Sequence, residues 1–191
     1  INDLLPEDIA GIDPTGDMTE TNLDLDTLWA VMLESGLYIG WNAYASEWGC
    51  TYGIYITDDT TSGVSATTDP WGRRVTASFG YPPFAVYMWH TEEDTMQEAQ
   101  LCTWQTDSWD YPLLRSVGGE QGYNSEQDFA ELFIPTEALG NPSAVFIELF
   151  TAGGENTHAQ DTSPADPNVD FTSPDWDGTS TVLSAFVEVT E

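Results

Sequence analysis

Hydrophobic and polar positions alternate with a period of two along most of the chain, the pattern of half-buried strands. LDTLWAVMLES (25–35) and LYIGWNAYA (37–45) meet at Ser35-Gly36 and predict a hairpin. TYGIYIT (51–57), RRVTASF (73–79), FAVYMWH (84–90) and EAQLCTW (98–104) follow, separated by turn-rich stretches. DFAELFIP (128–135) leads into a short helical turn at TEALG, and SAVFIELF (143–150) and TVLSAFVEV (181–189) complete about nine strands. That count, with turns between, predicts an all-β fold: a two-sheet antiparallel β-sandwich, jelly-roll-like.

One connection breaks the rhythm. Residues 152–179 show neither a strand nor a helix period, and a loop of that length needs a job or a clamp. The loop holds six acids and one histidine, His158, so a cation is the natural clamp. Residues 13–28 pose the same problem, with Asp13, Asp17, Glu20, Asp24 and Asp26 and no base.

Composition sharpens the point. The chain of 191 residues has 33 acids against three bases, Arg73, Arg74 and Arg115, for a net charge of -30. Hydrophobic residues make up 40 %, enough for a core and against disorder. So negative a surface repels phosphate backbones and anionic lipid, which argues against nucleic-acid partners and membrane insertion. Neutral sugars and cations remain as ligands. A saline habitat accounts for diffuse acidity; acids gathered into particular loops point instead to bound Ca2+. The chain shows no leader, so a mature form or an excised domain is expected.

Cys50 and Cys102 both sit in strand-like segments. In an oxidising compartment they are expected to pair across neighbouring strands, closing a loop worth about 4 kcal/mol. The alternative is two small buried apolar residues.

Several stretches carry a resemblance. DPTGD (13–17) followed by NLDLDTL, GLYIGWNAYA, GIYITDD with SATTDPWGRR, AELFIPTEALG and GGENTHAQDTSPADPN together resemble the DOMON-like and family 9-like carbohydrate-binding modules of secreted amylase- and pullulanase-type enzymes. The likeness spans most of residues 13–189 and leaves 1–12 as an N-terminal tail outside a single domain, 13–191. It implies a sandwich with long calcium-clamped acidic loops, extracellular, and no catalysis. Asp13 and Asp17 carry over as calcium ligands, and Asp58, Asp59, Asp161 and Asp166 carry over less directly; at Thr57-Asp58-Asp59 the acids are shifted against the family's strand ending. Asp24 is grouped with the first cluster, or else caps a strand.

Catalytic signatures for nucleophilic, zinc and nucleotide chemistry are absent. The exception to weigh is a pair of glutamates among aromatics: Phe129, Glu131 and Phe133 share one strand face, Phe146, Glu148 and Phe150 another. Neighbouring strands would place two carboxyls together, the machinery of glycoside hydrolysis. For sugar binding, Trp48, Trp71, Trp109 and Trp176 fall in loops or at strand ends, where rings stack on pyranose faces. Trp71, in the turn DPWG, is the sharpest of them, and its loss is expected to leave stability unchanged; Trp29, Trp41, Trp89 and Trp104 are expected in the core. The leading expectation is a non-catalytic, extracellular carbohydrate-binding module for a polysaccharide such as an α-glucan. The alternative is a subunit of an extracellular filament or surface assembly, self-associating through residues 1–12 by donor-strand complementation.

Overall fold

The computed structural model describes residues 4–45 and 47–191. Five strands form sheet A in the order β1 (Ile9–Ile12), β2 (Thr27–Leu33), β3 (Gly36–Asn42), β10 (Phe129–Pro135), β9 (Glu120–Asn124). Sheet B runs β12 (Ala159–Ser163), β11 (Ala144–Ala152), β4 (Cys50–Thr57), β6 (Phe84–His90), β7 (Gln100–Trp104), β8 (Trp109–Asp110), and β14 (Val187–Thr190) pairs with the first half of β11. A parallel pair, β5 (Val75–Ala77) with β13 (Thr181–Leu183), lies apart from both. The two main sheets are antiparallel and pack as a β-sandwich, as the alternation predicts.

The two sheets differ in how their faces are covered. Strands β2 and β10 alternate buried and half-buried positions, so sheet A keeps one face partly open. All eight residues of β4 and seven of the nine in β11 are buried. Their inner side chains, among them Tyr52, Ile54, Ile147 and Leu149, fill the core against sheet A. Their outer ones, Tyr55 and Phe150, pack with Tyr87, Val75, Val169 and Leu183 in a second core. The β5–β13 pair and its flanking loops therefore form a third, partial layer over sheet B. This layer is where the groove described below sits.

Several expectations change. The hairpin forms at residues 34–35, but the segment 181–189 splits into β13 and β14. The long loop is shorter than its sequence suggests, because β12 lies inside it and extends sheet B. Its residues Ala159–Ser163 are all buried, yet Gln, Asp, Thr and Ser occupy four of the five positions and hide the strand period. The tail expected outside the domain is in part strand β1, paired with β2 on the edge of its own sheet. Residues 1–3 of that tail lie outside the described residues.

The disulfide does not form. Strand β6 lies between β4 and β7, and Cys50 pairs with His90 whereas Cys102 pairs with Ala85, at the other end of β6. Two strand spacings alone amount to about 9–10 Å, beyond the roughly 7 Å reach of a disulfide. The two thiols also face opposite sides of the sheet, Cys50 in the inter-sheet core and Cys102 in the outer one. Both are free and buried.

Candidate cation site and ligand groove

Asp13 follows β1, and its N–H donates to the Asp26 carbonyl at 2.8 Å, which fixes the chain as it leaves the sheet edge. The next residues turn sharply. Gly16 adopts φ +83°, a left-handed conformation that glycine takes without strain, and so presents its N–H to both carboxylate oxygens of Asp24 (3.0 and 2.9 Å). Met18 N–H adds a longer bond at 3.4 Å. Asp24 thus acts as the anchor of the turn.

The turn delivers Asp17 beside Asp13, and β12 delivers Asp161 to the same point. One carboxylate oxygen from each of the three lies within 4.8 Å of the others. Asp161 is oriented by the Leu25 N–H (2.6 Å) and the Thr162 N–H (2.9 Å). Asp13 is 4 % exposed, and its Oδ2 has no hydrogen-bond partner. Burial and the neighbouring Asp161 and Asp17 charges push Asp13 up to about 8. Burial likewise pushes Asp161 up to about 7 and raises Asp17. Three oxygen donors, one of them buried and unsatisfied, suit a hard divalent cation such as Ca2+, with backbone carbonyls or water completing the shell.

The other acids named from sequence lie elsewhere. Asp58 is exposed, and Asp59 accepts from Thr61 N–H, Thr61 Oγ1 and Ser62 Oγ, bonds that hold its carboxyl below the usual range and close a loop turn. Asp166 accepts from the N–H groups of Asn168, Ser184 and Ala185. It also shares a hydrogen bond with Glu148, whose carboxyl is pushed up to about 10 by burial and by Asp166. That carboxyl pair, with Asp166 held below the usual range by its N–H donors, ties β11 to the β13–β14 connection. Glu131 stands on β10 in sheet A and Glu148 on β11 in sheet B, so the two glutamates do not meet on neighbouring strands.

A concavity lies on the third layer. It is an open groove of about 850 Å³ lined by, among others, Thr67, Thr68, Trp71, Tyr81, Tyr111 and Asn156. The turn Asp69–Gly72 builds its wall. Gly72 N–H bonds the Asp69 carbonyl at 3.1 Å, and Asp69 Oδ1 accepts from the Trp71 and Arg73 N–H groups, both at 2.9 Å. The other oxygen accepts from the Tyr55 and Tyr87 hydroxyls, so the buried carboxylate is fully used.

Trp71 is in the groove, but it is not a free platform. Its ring lies flat on Tyr87 at 5.0 Å and 12°, and its indole N–H donates to Gln100 at 2.8 Å. The Arg73 guanidinium sits 5.5 Å from the ring centre. The exposed ring of the groove is Tyr111, 45 % accessible. Trp109 donates to the Thr68 carbonyl (3.0 Å) and packs edge-on against Trp104, which buttresses the lip. Trp48 and Trp176 form a separate edge-on pair at 5.3 Å, outside the groove lining.

Sequence reasoning missed two things. Tyr111 was passed over because it sits in a short irregular link with no period. Trp29 is not core: with Phe129, at 5.4 Å, and the Tyr38–Phe133 pair it lies half-buried on the open face of sheet A. The strict alternation of TLWAVML was the signal that one face is uncovered. Trp41 is fully buried as expected, whereas Trp89 and Trp104 are half-buried.

No family model, curated protein or solved structure matches the chain.

Proposed function

We propose that the chain is a non-catalytic, extracellular carbohydrate-binding β-sandwich module, stabilised by calcium at Asp13, Asp17 and Asp161. The observation that carries the reading is the groove on the third layer: an open concavity with aromatic walls (Trp71, Tyr81, Tyr111) and short polar side chains (Thr67, Thr68, Asn156) between them. Sugar recognition needs that combination, a ring face for the apolar side of a pyranose and hydrogen-bonding groups at its hydroxyls. The cation would hold the start of the sandwich to β12. It would ionise the three carboxylates and supply no chemistry to the ligand.

The self-association reading loses its main support, because residues 9–12 pair with β2 of their own sheet rather than standing free. The test is affinity electrophoresis through gels containing starch, xylan or cellulose derivatives. Retardation that falls at least tenfold in Tyr111→Ala supports the module; migration unaffected by every polysaccharide refutes it.

A further inference from the structure

We propose that the groove takes an acidic sugar, a pyranose carrying an anionic oxygen group, in preference to a neutral one. The proposal rests on the carbohydrate reading above and is carried by where the molecule keeps its positive charge. Of the three arginines, Arg73 and Arg74 line this groove. The third, Arg115, is paired with Glu98 at 2.6 Å. Among the described residues neither Arg73 nor Arg74 forms an ion pair. The groove also holds two acids, Asp69 and Glu155, yet among the described residues neither arginine closes an ion pair with them.

Their setting suits an incoming anion. Arg73 is only 7 % exposed; its Nη atoms donate to the Trp71 carbonyl (2.9 Å) and Thr51 Oγ1 (2.7 Å), and its Nε has no partner. The Asp69 and Glu155 carboxylates of the same groove supply its counter-charge, so the guanidinium open to a ligand is that of Arg74. The nearby Asp69 carboxylate is fully engaged by two tyrosine hydroxyls and two backbone N–H groups. Arg74 is exposed, its Nε held by the Asn156 carbonyl, and its terminal nitrogens bond no other described residue. A guanidinium presents a planar fork that matches a carboxylate or sulfate oxygen pair. Tyr111, whose ring is exposed, lines the same groove and is available for the sugar face.

The rest of the molecule competes with this attraction. A net charge of -30 repels an anionic glycan at long range, whereas the arginine contact is short. Raising the salt from about 0.01 M to about 0.15 M shortens the screening length from ~30 Å to ~8 Å and removes the repulsion before the contact. Affinity for an acidic glycan is therefore expected to rise over that range, opposite to the behaviour of a basic patch.

The test compares retardation by polygalacturonate, a sulfated galactan and starch, for the wild type and for Arg74→Gln, whose exposed position spares the fold; a melting curve checks this. The expected result is at least tenfold stronger retention on one acidic gel than on starch, increasing with salt over the stated range, and lost about tenfold in Arg74→Gln. Preference for polygalacturonate assigns the anion to a carboxylate, preference for the galactan to a sulfate. Equal or stronger retention on starch, or acidic-gel retention unchanged in a folded Arg74→Gln, overturns the proposal and leaves the module reading standing. No retention on any gel overturns both.

Discussion

Asp13 concentrates the electrostatics of the fold at one atom. Its Oδ2 is buried without a donor, and Asp161, Asp17 and Asp24 all add negative charge around it. In cation-free protein the folded state therefore holds protons that the unfolded chain releases. Burial pushes Asp13 up to about 8 and Asp161 up to about 7, both from 3.8. A folded-state value above the unfolded one means that stability falls as pH rises through the window between them, here from about 4 to about 8. Melting curves in EDTA should thus drop from pH 5 to pH 8. Calcium should flatten most of that slope, leaving the same-signed part due to Glu148, raised to about 10 away from the cluster. Identical slopes with and without calcium would contradict the site. A second residue-scale outcome separates charge from packing. Asp13→Asn should raise the melting temperature in EDTA at neutral pH, because it removes the cost of protonating Asp13 on folding, and abolish the rise that calcium gives the wild type. That rise is expected to be roughly 5–10 °C at a hundred times the Kd, from about 2.7 kcal/mol.

At the scale of elements, the turn Asp69–Gly72 bears on stability as well as on the ligand. Trp71 covers Tyr87 and belongs to the outer core. Trp71→Ala should cost about 3 kcal/mol, seen as a lower denaturant midpoint, where the sequence suggested no effect. Tyr111→Ala, on an exposed ring, should leave the midpoint within about 0.5 kcal/mol. The cysteines give a sharper check. Both thiols should titrate in denatured, unreduced protein, because β6 separates their strands and their side chains point to opposite cores.

These elements also show what the sequence disclosed. Strands such as TLWAVML and FAELFIP were legible because one face of sheet A is open and their burial alternates. Strand β12 was not, since AQDTS is buried on both sides through hydrogen bonds rather than apolar contact: Thr162 Oγ1, Asp161 and Gln160 all bond neighbouring backbone. The acidic cluster was half legible. Asp13 and Asp17 stand close in sequence, but Asp161 joins them only through the β11–β12 pairing, which no local pattern encodes. The same limit misled the cysteine pairing, because strand order in a sheet is not sequence order.

At the scale of the whole molecule, charge and layering divide the surface. Nearly every base–acid imbalance lies outside the groove, where Arg73 and Arg74 match Asp69 and Glu155 in number. The open face of sheet A offers a contrasting surface, aromatic through Trp29, Tyr38, Phe129 and Phe133. Of these two surfaces, the central claim is that a glycan meets the groove. The most direct measurement is an amide and indole 15N–1H correlation spectrum titrated with an oligosaccharide from the best-retained polymer. The account predicts shifts at the Trp71 indole, at the Asn156 and Arg74 amides and around Tyr111, with Trp29 and Phe129 unmoved. Shifts confined to Trp29, Phe129 and their sheet A neighbours, with the groove silent, would contradict it.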